Sequence, residues 1–222
     1  MGKVIAVDGP AGAGKSTVSK IVASKLGYTY IDTGAMYRAV GLKFLRSGKD
    51  FDENILAEIT RDIEIALDEN AKVFLDGEDV TKEIRTPEVS KLASNVSKYG
   101  FVRKKLTELQ REMARQGSVI MDGRDIGTQV LPNADVKIFL TATLKERARR
   151  RFEELKAKGQ AVTLDAVESE IAFRDKQDSE REIAPLAKAD DAVLIDSTNM
   201  TVDEVVDFIL KIATGYKLTA TS

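Results

Sequence analysis

The sequence of 222 residues contains no cysteine, no histidine and no tryptophan, and it has only four prolines. Without cysteine, the chain can form no disulfide bond, no thiolate metal site and no cysteine nucleophile. Without histidine, it lacks the commonest general base and the commonest metal ligand of proteins. Its chemistry must therefore rely on carboxylates, lysine, arginine, hydroxyl groups and backbone amides.

The chain also lacks a strong charge of either sign. Its 34 Lys and Arg residues and 36 Asp and Glu residues give a formal net charge of −2, whereas nucleic-acid-binding proteins usually carry a basic excess. No apolar run approaches the ~20 residues of a membrane span, and the first residues do not have the pattern of a signal peptide. We therefore expect a cytoplasmic protein that binds neither nucleic acid nor membrane.

Short apolar runs alternate with helical patterns along most of the chain. Apolar runs predict strands at Val4–Val7, Tyr28–Ile31, Ser118–Met121, Val136–Leu140 and Ala192–Ile195. Helical spacing predicts helices at Lys15–Leu26, after Asp32-Thr33-Gly34 through Leu45, and at Val89–Gln116, Leu144–Lys158, Leu164–Gln177 and Val202–Ile212. This alternation favours an α/β fold with a five-stranded parallel sheet flanked by helices. From Ile63 to Thr81 the apolar period is two, which predicts a small antiparallel β insert.

A glycine-rich segment follows the first predicted strand and opens the first predicted helix. It matches the pattern G-x-x-x-x-G-K-[ST], whose backbone amides bind phosphate oxygens, with the lysine on the β- and γ-phosphates and the hydroxyl on Mg²⁺. We name Gly9–Thr17 the phosphate cradle and expect it to bind ATP through Gly9, Pro10, Ala11, Gly12, Ala13, Gly14, Lys15, Ser16 and Thr17. The alternative is a tight strand-to-helix turn with an exposed lysine.

The rest of the sequence narrows the class of phosphate-binding protein. The glycine spacing does not fit the dinucleotide fingerprint G-x-G-x-x-G. The chain has no N-K-x-D motif for reading guanine, and motor or oligomeric ATPases are normally longer. These exclusions favour a small-molecule kinase.

Charged residues near the carboxyl ends of the predicted strands are candidates for binding the acceptor. Ligands of parallel sheets bind beyond these ends, and arginine binds two phosphate oxygens at once. The candidates are Thr33, Arg38, Asp122, Arg124 and Asp125. The alternative for each is an ordinary loop charge.

An arginine-rich region extends over the helices predicted after residue 143. It contains Arg147, Arg149, Arg150 and Arg151, followed by Arg174, Asp178 and Arg181 at helical spacing. This arrangement fits either a lid that binds ribose and phosphates or a solvated face with ion pairs along each helix.

Several segments together give the chain a specific resemblance. Besides the cradle, these are Asp32–Arg38, Gly77–Val80, Ile84–Val89, Asp122–Thr128 and Asp196–Thr198. In this order they resemble the bacterial cytidylate kinases over nearly the whole chain. The resemblance implies a monomeric enzyme that transfers phosphate from ATP to CMP and dCMP with Mg²⁺. It also implies one P-loop kinase domain (1–222) with a core (about 1–33, 117–146 and 183–222), a monophosphate-binding lobe (about 34–116, insert about 62–81) and a lid (about 147–182).

The resemblance also implies a role for individual residues. Ser94, Arg103 and Asp125 would read cytosine, and Thr33, Arg38 and Arg124 would bind the CMP phosphate. Arg174, Asp178 and Arg181 would contact ribose and close the lid. Lys15, Arg124, Arg150 and Arg151 would act in catalysis, with Ser16 and, through water, Asp122 on Mg²⁺. Thr33 replaces the serine of many family members but keeps the hydroxyl.

Two alternatives remain open. The acceptor could be another nucleoside monophosphate or a small metabolite, or the chain could sense ATP without transferring phosphate.

Overall fold

The structure is a computed structural model that describes residues 2–68 and 70–215. Its strands are β1 (Val4–Asp8), β2 (Thr29–Asp32), β3 (Ile65–Leu67), β4 (Val73–Leu75), β5 (Glu78–Asp79), β6 (Val119–Gly123), β7 (Val136–Thr141) and β8 (Val193–Asp196). Its helices are α1 (Lys15–Leu26), α2 (Thr33–Arg46), α3 (Glu53–Arg61), α4 (Pro87–Val96), α5 (Gly100–Ala114), α6 (Leu144–Ala157), α7 (Leu164–Glu180) and α8 (Val202–Ala213).

A five-stranded sheet has the strand order β2-β6-β1-β7-β8. Strand β1 pairs in parallel with both β6 and β7, and β7 pairs in parallel with β8. The central strands are largely apolar because both faces of the sheet are covered, as in β1, where Ile5, Ala6 and Val7 are fully buried. The predicted α/β fold with a five-stranded parallel sheet is confirmed.

The described residues form two compact units. The first extends to Thr29 and resumes at Gly117, and the second comprises Tyr30–Gln116. In the first unit β1 leads through the phosphate cradle into α1, whose predicted bounds are confirmed residue for residue. A turn of π-helix (Ile126–Val130) follows β6.

The second unit is a helical layer with a small sheet. Strands β3, β4 and β5 are antiparallel, so the predicted β insert is confirmed, although Glu69 of its first turn lies outside the described residues. The helices pack on a core whose largest fully buried side chains include Met36, Leu42, Leu56 and Leu106.

Two features of the second unit differ from the sequence predictions. The single helix predicted for Val89–Gln116 was wrong, since the chain forms α4 and α5 with a break at Ser97–Tyr99. At this break the Tyr99 ring lies against Phe51 and Phe101, at centroid distances of 5.9 and 5.6 Å. Helix α3 was not predicted, although Asp52 caps it through bonds from Asn54 N and Ile55 N. The division into core, lobe and lid stays a prediction.

Among the described residues, no helix combines the length and apolarity needed to cross a membrane.

Candidate active site

The phosphate cradle has the backbone shape that its glycines predict. Gly9 (φ 146°) and Gly14 (φ 88°) both have positive φ, and Gly14 caps α1 in a left-handed conformation. A Cβ on Gly9 would lie 1.9 Å from the carbonyl oxygen of Leu140. Glycine at this position therefore lets the cradle lie directly against β7.

The Lys15 ammonium lies inside the cradle, and the residue is only 6% exposed. Nζ donates to the carbonyl oxygens of Gly9 and Pro10, at 2.8 Å each. Burial, and after it the positive charge of Arg124, lower the pKa of Lys15 to about 7, against the opposite effect of Asp122. The predicted alternative of an exposed lysine on a turn does not fit this burial.

Ser16 and Asp122 lie together beside the cradle. Ser16 Oγ donates to Asp122 Oδ2 at 2.8 Å, and Asp122 is 4% exposed. The register of the sheet brings them together, because Asp122 on β6 pairs with Val7 two residues before the cradle. Mg²⁺ prefers oxygen ligands and takes one or two of them from the protein when it also binds substrate phosphates. A hydroxyl and a carboxylate oxygen at this distance fit that requirement, although the described residues contain no group of three or more acidic side chains suited to a metal ion.

Asp8, the last residue of β1, joins the cradle strand to the segment after β6. Its two carboxylate oxygens accept from the backbone N–H groups of Ile126 (2.8 Å) and Gly127 (2.7 Å). Burial raises the pKa of Asp8 to about 6 even though these two bonds lower it. The charge of Asp125 raises it as well. Asp8 was not predicted as a functional residue, and its place directly before Gly9 was the only signal for it.

Four predicted residues form a charge network in the first unit. Arg124 Nε donates to Asp178 Oδ2 at 2.8 Å, while Arg181 lies 3.6 Å from Asp178 Oδ1 and 3.3 Å from Asp125 Oδ1. Burial lowers the pKa of Arg124, but the nearby carboxylates, above all Asp178 through its charge and its hydrogen bond, together outweigh burial and raise the pKa overall. Asp178 lies on α7, whereas Arg181 is the residue that caps the helix end. The network holds two arginines and two carboxylates in one place.

In the second unit, the predicted phosphate ligands lie at the start of α2. Thr33 is the first residue of the helix and is 3% exposed. Arg38 Nη2 donates to Asp32 Oδ2 at 3.0 Å, and Asp32 also caps the helix through a bond from Ala35 N. Arg38 Nε is buried and has no hydrogen-bond partner among the described residues. A buried donor of this kind is suited to an incoming anion.

The predicted cytosine readers of the second unit lie at the α4–α5 break. Arg103 is 5% exposed, donates from Nη1 to Ser97 O at 3.2 Å, and stacks over the Tyr37 ring at 5.5 Å. Ser94 accepts from Ser97 Oγ through its carbonyl oxygen at 2.9 Å. The break thus places Ser97 between Ser94 and Arg103, which a continuous helix would separate by two and a half turns.

The predicted lid arginines of α6 contact groups outside the cradle. Arg150 donates to Glu146, to Ser197 Oγ at 3.0 Å and to Ser197 O at 2.6 Å. Arg151 pairs with Glu154 at 2.8 Å. Their catalytic role stays a prediction.

Two residues that were not predicted as site residues contact the cradle from α6 and α7. Arg147 Nη1 donates to Ala11 O at 2.9 Å, and Asp175 Oδ1 accepts from Ala11 N at 3.0 Å. Both residues lie in the arginine-rich region that the sequence analysis identified, but the sequence did not show which side chains of that region face the cradle.

The parallel sheet, the strand–cradle–helix unit and the buried Lys15 beside Ser16 and Asp122 define a P-loop kinase. Two solved structures share this fold. They are an uncharacterised protein from Eubacterium ventriosum (TM-score 0.53, 13% identity, 96% of this chain and 99% of the other) and a shikimate kinase from Acinetobacter baumannii (TM-score 0.50, 16% identity, 98% and 96%). At these identities the likeness concerns the fold alone.

The sequence comparisons identify the family. The profile described as "Cytidylate kinase" matches residues 5–215. A cytidylate kinase of Caldicellulosiruptor bescii is 58% identical over 212 residues, which cover 94% of both chains. One of Bacillus licheniformis is 54% identical over 213 residues, again with 94% of both chains covered. The chain belongs to the cytidylate kinase family.

Proposed function

We propose that the protein transfers the γ-phosphoryl group of ATP to CMP and dCMP, giving ADP with CDP or dCDP. The observation that carries phosphoryl transfer is the buried Lys15 in a cradle flanked by Ser16 and Asp122. The names of the relatives, at 54–58% identity over 94% of each chain, support the acceptor.

In the proposed reaction, a phosphate oxygen of CMP attacks the γ-phosphorus of ATP in line, and the bond from that phosphorus to the ADP oxygen breaks. Lys15 offsets the charge that develops on the transferred group, since such reactions depend on positioning and charge neutralisation more than on a strong base. Ser16 and Asp122 would hold Mg²⁺, which offsets charge on the β- and γ-phosphates when bound. The amides of the cradle hold the donor phosphates.

The acceptor phosphate would bind Thr33, Arg38 and Arg124. The buried Nε of Arg38 supports this assignment, because a phosphate oxygen would give that donor an acceptor. Arg150 and Arg151 would add positive charge to the transition state. For Arg150 this role requires release of its bonds to Ser197.

The base would be read by Asp125, Arg103 and Ser94. Cytosine has an N4 amino donor beside the N3 and O2 acceptors, so a carboxylate suits the first and the Arg103 and Ser94 donors suit the others. Uracil has an O4 acceptor in place of the amino group and would oppose the Asp125 carboxylate. Ribose would contact Arg174, Asp178 and Arg181. The cytoplasmic location and the monomeric state stay predictions.

A coupled ADP-release assay with CMP, dCMP, UMP, AMP, GMP and shikimate as acceptors tests the proposal. We expect kcat/KM to be highest for CMP and dCMP. A higher value for another acceptor would replace the proposed substrate. ADP release that does not depend on an acceptor would contradict phosphoryl transfer to a nucleoside monophosphate.

A further inference from the structure

Helices α6 and α7 form hydrogen bonds to the phosphate cradle at Ala11. Asp175 of α7 accepts from Ala11 N at 3.0 Å, and Arg147 of α6 donates to Ala11 O at 2.9 Å. Arg147 also donates to the second carboxylate oxygen of Asp175 and, through Nε, to Ala142 O at 2.9 Å. Both polar groups of the Ala11 backbone are therefore held by one arginine–aspartate pair.

The pair is largely shielded from water, with side-chain exposures of 8% for Arg147 and 19% for Asp175. The apolar surroundings reinforce it, because Ala11 belongs to a small core with Ala148 and Ile171. The cradle also contacts this core at Gly12, where an added Cβ would lie 3.1 Å from Arg147 O and 3.4 Å from Ile171 Cδ1. Ion pairs of this kind bind more strongly than exposed ones and fix geometry.

Helix α7, which carries Asp175, also carries Asp178 on the acceptor side of the proposed site. Asp175 and Asp178 are three residues apart and so share one face of α7. Asp178 holds Arg124 through the 2.8 Å bond described above. One helix face thus contacts both the donor cradle and a residue assigned to the acceptor phosphate.

We propose that Arg147 and Asp175 are positioning residues that fix the donor-phosphate cradle through the Ala11 backbone. The inference rests on the proposed function for the identity of the donor, but not for that of the acceptor. Neither side chain needs to touch a phosphate in this role. Arg147 also neutralises Asp175, whose charge would otherwise repel the donor phosphates from the neighbouring cradle.

Because Arg147 neutralises Asp175, two single variants and the corresponding double variant test the proposal. Arg147→Gln leaves the Asp175 carboxylate without its partner beside the cradle and should weaken binding of a non-hydrolysable ATP analogue with Mg²⁺ by about tenfold or more, since losing one charge-assisted bond has this effect. Asp175→Asn keeps an oxygen for Ala11 N and should weaken binding less. The double variant Arg147→Gln/Asp175→Asn removes the unpaired charge, so it should bind the analogue more tightly than Arg147→Gln alone.

Calorimetric titration of the full chain measures these affinities, with Arg149→Gln and Glu170→Gln as controls for the same charge changes on the exposed sides of α6 and α7. CMP affinity, measured without the donor, should change less than twofold in every variant. The proposal is overturned if the double variant binds the analogue no better than Arg147→Gln, or if Arg147→Gln weakens CMP binding as much as donor binding. Because binding is measured without turnover, a wild-type chain that binds the analogue but does not phosphorylate CMP would refute the proposed function alone.

Discussion

Gly9 offers the sharpest test of the cradle geometry. In Gly9→Ala the new Cβ would lie 1.9 Å from Leu140 O, so backbone atoms of β7 must move by more than 1 Å to reach an ordinary contact distance. Strand β7 pairs on both sides, with β1 and β8, and cannot shift freely. We expect the free energy of unfolding, measured in urea, to fall by about 1–2 kcal/mol through backbone strain and by about 3 kcal/mol more through overpacking.

Gly14→Ala is the matched control within the cradle. Gly14 also has positive φ, at 88°, but a Cβ there would meet nothing within 4 Å. In Gly14→Ala the free energy of unfolding should therefore fall only by the cost of backbone strain, about 1–2 kcal/mol. A Gly9→Ala chain that fails to fold while Gly14→Ala folds would agree with the reasoning. If both variants lose the same free energy of unfolding, the close approach of the cradle to β7 is refuted.

Three further predictions concern single side chains. Lys15→Ala should lower kcat by about 10²–10³, because a contact made in the transition state is worth this much; wild-type kcat would remove Lys15 from catalysis. Asp125→Asn should narrow the ratio of kcat/KM for CMP over UMP, since each opposed charged hydrogen bond costs about 1.5–3 kcal/mol; an unchanged ratio would refute base reading. Because burial raises the pKa of Asp8 from 3.8 to about 6, its ionisation removes stability as pH rises through that window. The stability of Asp8→Asn should thus rise by about 2 kcal/mol relative to wild type between pH 4 and 7; a difference in the free energy of urea unfolding that is the same at both pH values would contradict this.

The parallel sheet and the cradle could be predicted because their signals are local. Continuous apolar runs mark strands that are buried on both faces, and Gly14 and Gly27 flank α1 with positive φ at both ends. The period of two between Ile63 and Thr81 marks strands with one buried face. In each case the pattern along the chain is itself the physical cause of the element.

The α4–α5 break could not be predicted because helical periodicity continues through it. At the break Tyr99 packs against Phe51, which is 48 residues away along the chain, and a local sequence pattern does not show such a contact. Helix α3 is short, with nine residues, so its pattern gives a weak signal despite the Asp52 cap.

The candidate site likewise contains residues that the sequence could predict and residues that it could not. A motif identifies Lys15 and Ser16, and the sheet register brings Asp122 to them. The directions of the arginines on α6 could not be read from the sequence, since Arg147 and Arg150 are both embedded in the same charged run. The structure turns Arg147 toward the cradle and Arg150 toward Ser197, although residues three apart are neighbours on one helix face.

Product stoichiometry tests the central claim most directly. Anion-exchange chromatography with ultraviolet detection separates ADP from CDP after the protein has reacted with ATP, CMP and Mg²⁺, and a phosphate assay of the same sample measures inorganic phosphate. The account predicts one CDP for each ADP and no inorganic phosphate beyond the background without protein. ADP that accumulates with inorganic phosphate and without CDP would contradict it.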